Sequence, residues 1–145
     1  MELGLDGIRS QTSREVPEVN CLLDTHFLLW ITIDSPRVRD FPWLDRYAAW
    51  GVSPISFLEI KFLEEVGKLE VEIDAFTSAV MSDSRFVVDE VPLLNLVHRS
   101  LHLSWTRDPF DRMIAAHSAA RRKPLCSVDR LILKHHEFLP TELNG

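Results

Sequence analysis

Residues 19–32, VNCLLDTHFLLWIT, decide the fold class. Val19 to Leu23 form a nearly continuous apolar run that stops at Asp24. A short run without alternation is the pattern of a strand buried on both faces, as in a parallel sheet. THFLLWIT then reads as a short helix, with Thr25 a candidate cap. Far downstream the spelling returns. PLCSVD, residues 124–129, is an apolar strand that again stops at an aspartate, Asp129, and RLILKHH after it reads as a helix.

Between these units the same alternation continues. LDRYAAW reads as helical, between Pro42 and GVSPI, a second short strand ended by Pro54. SFLEIKFLEEVGKL is a helix with Ser56 as expected N-cap, Glu59 three residues on, and Gly67 at its C-terminal end. IDAFTSAVMSD is an amphipathic helix, RFVVDEV a strand, and PLLNLVHRSLHL a helix begun by Pro92. DPFDRMIAAHSAARR is a helix with Pro109 at its first position. EFLPTEL reads as a short edge strand. Strands alternating with helices imply a three-layer α/β domain with a mainly parallel sheet. In such sheets functional groups gather beyond the carboxyl ends of the strands, where Asp24 and Asp129 fall.

A chain of 145 residues suits one compact domain. Residues 1–18 are expected to be an extension and 19–145 the domain. No apolar run approaches the ~20 residues that span a bilayer. The polar start lacks the apolar stretch of a signal peptide, so a cytoplasmic location is expected. The two cysteines, Cys21 and Cys126, lie inside strands and read as reduced core residues. The net charge of −6 argues against coating nucleic acid by non-specific electrostatics. It leaves room for an enzyme that holds a polyanion through bound metal and local arginines.

Each acidic residue has a structural reading beside a functional one. Asp24 caps THFLLWIT or serves a site, and Asp129 caps RLILKHH or does the same. Glu59 completes a capping box with Ser56, or projects into a pocket. Glu64 and Glu65 read as solvated charges. Asp108 can cap its helix while Asp111 occupies the acid-favoured first turn. Residues 108, 111, 115, 118 and 122 share one helix face, where Ala115 and Ser118 are expected to leave open space. Phe110, Met113, Ile114 and His117 suit the core, and His117 reads as a hydrogen-bonded residue rather than a metal ligand. If the acids converge, two unit charges ~5 Å apart repel by about 3 kcal/mol at an effective dielectric near 20. Protons or cations must then compensate. All-oxygen ligands favour a hard cation, Mg²⁺ or Mn²⁺, and no Cys/His spacing suggests zinc. Such a metal with open positions suits phosphodiester hydrolysis. There is no Gly-rich phosphate loop and no nucleophile elbow.

The order LLDTHFLLW, SFLEIKFLEEVGKLEV, RDPFDRMIAAHSAARRKPLCSVDRLI resembles the PIN domain, and within it the VapC-type toxins of bacterial toxin–antitoxin pairs. The resemblance covers roughly residues 19–140. It implies an α/β/α ribonuclease with a Mg²⁺- or Mn²⁺-dependent acidic pocket. On that likeness Asp24, Asp111 and Asp129 hold the metal, and Glu59 completes the site and orients the attacking water. Asp108 is a fifth acid or a cap that positions Asp111. Thr25 and Ser127 match small hydroxyl positions flanking the pocket. Arg107, Arg112, Arg121, Arg122, Lys123 and Arg130 are candidates for RNA phosphates, against ordinary solvated charge. The likeness also implies a homodimer and inhibition by a cognate antitoxin. Leu58 departs from the branch, which often has tryptophan there, and FLPTELNG matches only loosely. The rival readings are a PIN-like binding module with little turnover, and a receiver-type aspartyl-phosphate domain. The first is weakened by the presence of all four core acids. The second needs adjacent acids at the first strand end, where LLDTH supplies one.

Overall fold

The computed structural model describes residues 18–143; the expected extension, residues 1–18, lies outside it except for Glu18. Four short strands form one sheet: β1 (Cys21–Leu23), β2 (Trp50–Val52), β3 (Phe86–Val88) and β4 (Leu125–Cys126). Their order is β3-β2-β1-β4 and every pairing is parallel. Six α-helices connect and cover them: α1 (Thr25–Thr32), α2 (Pro54–Glu65), α3 (Ile73–Ser82), α4 (Leu93–Ser100), α5 (Pro109–Arg121) and α6 (Arg130–His135). This is the expected three-layer α/β/α arrangement.

Period-two alternation explains the apolar run that opened the sequence. Cys21 and Leu23 enter one core with Phe27, Leu28, Trp50 and Val52, whereas Leu22 enters the other with Val19, Ile114, Leu125 and Ile132. β4 divides likewise, Cys126 into the first core and Leu125 into the second. Both faces are covered, so every position must be apolar. Both cysteines are free and buried, as expected.

Gly51 lets β1 and β2 approach. A Cβ there would lie 2.8 Å from the Cys21 carbonyl oxygen and 3.1 Å from Leu22 Cδ1. The first is backbone and cannot rotate away. Gly51→Ala is therefore expected to destabilise by about 1–3 kcal/mol, read as a lowered urea midpoint at unchanged slope.

The chain builds outward from β1 to β3, then returns across the sheet to β4 on the other side of β1. The switch point between β1 and β4 opens a crevice at their carboxyl ends. Asp24 and Asp129 sit there, each the N-cap of the following helix.

Several local expectations are corrected. α2 starts at Pro54, with Ser53 as N-cap. Proline suits the first helical position, so the helix begins earlier than a Ser56 cap would allow. Thr25 is the first residue of α1, capped by Asp24. LDRYAAW is no α-helix: a 3-10 turn runs Pro42–Tyr47, and Trp50 already belongs to β2. EFLPTEL forms no strand; its last part is a 3-10 turn, Thr141–Leu143. Pro140 lacks the N–H a ladder needs. Ala115 and Ser118 leave no open space, since both are fully buried. Gly67 follows α2 at φ +81°, as its place at the helix end predicts.

Candidate metal centre

Five carboxylates from four chain segments meet at the carboxyl edge of β1 and β4. Asp24 follows β1, Glu59 lies in α2, Asp108 and Asp111 open α5, and Asp129 follows β4. Oxygen atoms of Glu59, Asp108 and Asp111 lie within 4.8 Å of one another. Asp24 and Asp129 stand outside that tight triad but within its field. Their charges, with those of Asp108 and Glu59, all bear on Asp111.

The local geometry shows why each acid faces the centre. The earlier start of α2 removes Glu59 from any capping box, because the third helical residue is Ser56. Glu59 is instead 8% exposed, and Thr25 Oγ1 donates to its Oε1 at 2.6 Å. Ser56 Oγ lies 3.2 Å from the same Thr25 oxygen. The threonine after Asp24 thus ties the first helix to the glutamate. Asp24 Oδ1 accepts from the Phe27 N–H at 2.9 Å, and Ser127 lies close enough to its carboxyl to favour the ionised form. Ser127 Oγ accepts from the Asp129 N–H at 3.0 Å. One hydroxyl therefore stands between the acids that follow β1 and β4.

Asp108 and Asp111 divide the work of the DPFD turn. Asp108 Oδ1 accepts from the N–H of Phe110 at 2.8 Å and of Asp111 at 3.2 Å, capping α5. It also belongs to the oxygen triad. Capping and clustering coexist because a carboxylate has lone pairs for both.

Electrostatics mark the centre as charge-loaded. Burial pushes the Asp111 carboxyl up to about 7, and the charges of Asp108, Asp129, Glu59 and Asp24 push the same way. Burial also raises Glu59, reinforced by Asp108 and Asp24 and opposed by the Thr25 hydrogen bond and His26. Asp24 is raised chiefly by burial, against the bonds from Ser127 and Phe27. Neighbours that shift one another in this way would be relieved by a cation. An all-carboxylate donor set fits a hard divalent ion.

The six basic candidates separate. Arg130 is exposed and lines a cavity shared with Asp129. Arg107 is exposed beside Asp108. Arg112 Nε donates to the Thr106 carbonyl at 2.8 Å, a structural bond. Arg121 Nε donates to Asp89 Oδ2 at 2.9 Å. Arg122 and Lys123 sit past the C-terminal end of α5. That is about 20 Å along the helix from Asp108.

Sequence reasoning missed two groups. Asp89, after β3, receives Arg121 and also His117 Nε2 at 2.8 Å. His117 is fully buried, which agrees with its reading as a hydrogen-bonded core residue. The second group is His26, Trp30 and Arg37, which line the cavity that Asp129 and Arg130 share. Asp89 is 28 residues from His117, so nothing local pairs them, whereas His26 and Trp30 share a face of α1 at i, i+4 spacing.

No protein-family model matches the chain, and no curated protein matches it. Among solved structures it is similar to a chain of a toxin–antitoxin complex from Klebsiella pneumoniae, at 16% identity and a TM-score of 0.50, over 75% of this chain and 86% of that one. At that identity the likeness is one of fold.

Proposed function

We propose that the protein is a metal-dependent endoribonuclease of the PIN type, the VapC-like toxin of a toxin–antitoxin pair. The observation that carries this reading is the convergence of five carboxylates at the β1/β4 switch point, with Asp111 raised to about 7. Asp24, Asp111 and Asp129, with Glu59 and Asp108, are the residues that would hold Mg²⁺ or Mn²⁺. The bound ion supplies charge neutralisation for the phosphodiester and acidifies water. Glu59, fixed by Thr25, orients the water through its free oxygen. Asp108 holds the start of α5 and so the direction of Asp111. Ser127 keeps Asp24 and Asp129 in register.

The fold likeness to a toxin–antitoxin complex chain supports an antitoxin as partner. A homodimer and a cytoplasmic location complete the proposal. Among the described residues no helix is long and apolar enough to cross a membrane.

The test is cleavage of single-stranded RNA by the purified chain with Mg²⁺ or Mn²⁺, with EDTA, and by Asp24→Asn. Cleavage that depends on the ion and is lost in the variant is expected. Cleavage that survives both EDTA and the substitution would sink the reading. RNA binding without turnover on any RNA would favour the binding-module alternative.

A further inference from the structure

A cavity of about 520 Å³ borders the acid cluster and shares Asp129 with it. Its walls differ in kind from the carboxylate centre: His26, Trp30, Arg37 and Arg130 line it. His26, Arg37 and Arg130 are exposed, and Trp30 is half-buried. The Arg37 guanidinium carbon lies 4.4 Å from the centre of the Trp30 ring. The His26 ring is 6.2 Å from the same indole. Phe27 at 5.3 Å and the near-parallel Phe41 at 6.2 Å pack against the indole and hold it in place. Among the described residues neither Arg37 nor Arg130 forms an ion pair with a carboxylate.

We propose that this cavity is a nucleotide subsite, which takes one unpaired base and its phosphate from a single-stranded RNA next to the acid centre. The inference rests on the ribonuclease reading for its adjacency to a scissile bond, and on its own geometry for the ligand. The guanidinium that lies over the braced indole is a flat cation on which a base's π-face can stack, and stacking of this kind tolerates any base. Arg37 and Arg130 supply positive charge for the phosphate. That supply matters here, because the chain carries a net charge of −6 and the neighbouring acids repel a polyanion. Bases in a duplex are stacked and cannot enter such a cavity, so the ligand is single-stranded.

The experiment measures binding in EDTA, where no cleavage occurs. The probe is a short fluorescein-labelled single-stranded oligoribonucleotide of mixed sequence. Arg37→Glu is expected to weaken binding at least about tenfold and to lower the dependence on salt. His26→Ala is expected to weaken it about fivefold. Lys68→Glu carries the same charge change on an exposed residue beyond the far end of α2, and should alter binding less than about twofold. Bound RNA should quench tryptophan fluorescence in the wild type, and Trp30→Phe should lose most of that quench. Equal effects of Arg37→Glu and Lys68→Glu, or a quench that Trp30→Phe preserves, would overturn the subsite. So would absence of RNA binding, which would leave the cavity to a polypeptide. The two readings fail separately. Metal-dependent cleavage with binding insensitive to Arg37→Glu removes only the subsite. Arg37-dependent binding without cleavage under any metal removes only the nuclease.

Discussion

Asp111→Asn is expected to lower RNA cleavage at least about 100-fold while making the metal-free protein more stable at pH 8. The first effect follows from the proposed function, in which Asp111 would supply a ligand charge to the ion. The second follows from the raised carboxyl. An unfolded aspartate ionises near 3.9, whereas the folded Asp111 ionises at about 7. Between those values the folded state holds a proton that the unfolded state has lost. The stability this group contributes is thus present below about 3.9 and is lost as pH rises through about 7. Asparagine has no such proton to lose. Screening by solvent reduces the effect to about 1–2 kcal/mol, or roughly 3–8 °C. Thermal melts of both proteins in EDTA, from pH 5 to pH 8, check this. The wild type should lose more stability across that range than the variant.

Asp89→Ala is expected to destabilise by about 3 kcal/mol, near 10 °C, although Asp89 belongs to no part of the acid centre. Burial pushes the Asp89 carboxyl up, but His117 and Arg121 together outweigh that and hold it below the usual range. A carboxylate can only accept, so His117 Nε2 donates. Among the described residues Nδ1 already has no partner. Removing Asp89 leaves the whole buried imidazole unpaired, and frees Arg121 as well. Because Asp89 joins the end of β3 to the C-terminal half of α5, the loss should also loosen the helix that carries Asp108 and Asp111. Urea denaturation gives the first quantity. A drop in Mn²⁺ affinity smaller than that of Asp111→Asn gives the second.

The parts of the molecule that were legible beforehand are those with a local cause. Cys21 to Leu23 are apolar throughout because both faces of β1 are covered, and the run stops at Asp24 because that residue caps α1. The DPFD turn announces its own cap, and Asp108 does cap α5. The reading failed where two local signals competed. Ser53 and Ser56 both offer a cap to the apolar helix, and the cap falls on Ser53, not the expected Ser56, because Pro54 begins the helix rather than only ending the strand. That error mattered, since a capping box would have turned Glu59 away from the site. The His117–Asp89–Arg121 group and the cavity around Trp30 were not legible at all. Asp89 and His117 are 28 residues apart, and nothing in a one-dimensional pattern pairs them. Arg37 was passed over because it lies in a proline-flanked turn without an acidic motif nearby, yet the fold places it over Trp30.

The central claim is that acids from four segments make one cation centre. Calorimetric titration of the purified chain with Mn²⁺, at pH 6 and pH 8, tests it most directly. Binding must displace the proton that Asp111 holds up to about 7, so affinity should be about tenfold tighter at pH 8 than at pH 6. Asp111→Asn should bind at least about tenfold more weakly than wild type at pH 8 and lose most of that pH dependence. No Mn²⁺ binding by the wild type, or equal binding by Asp111→Asn, would contradict the account.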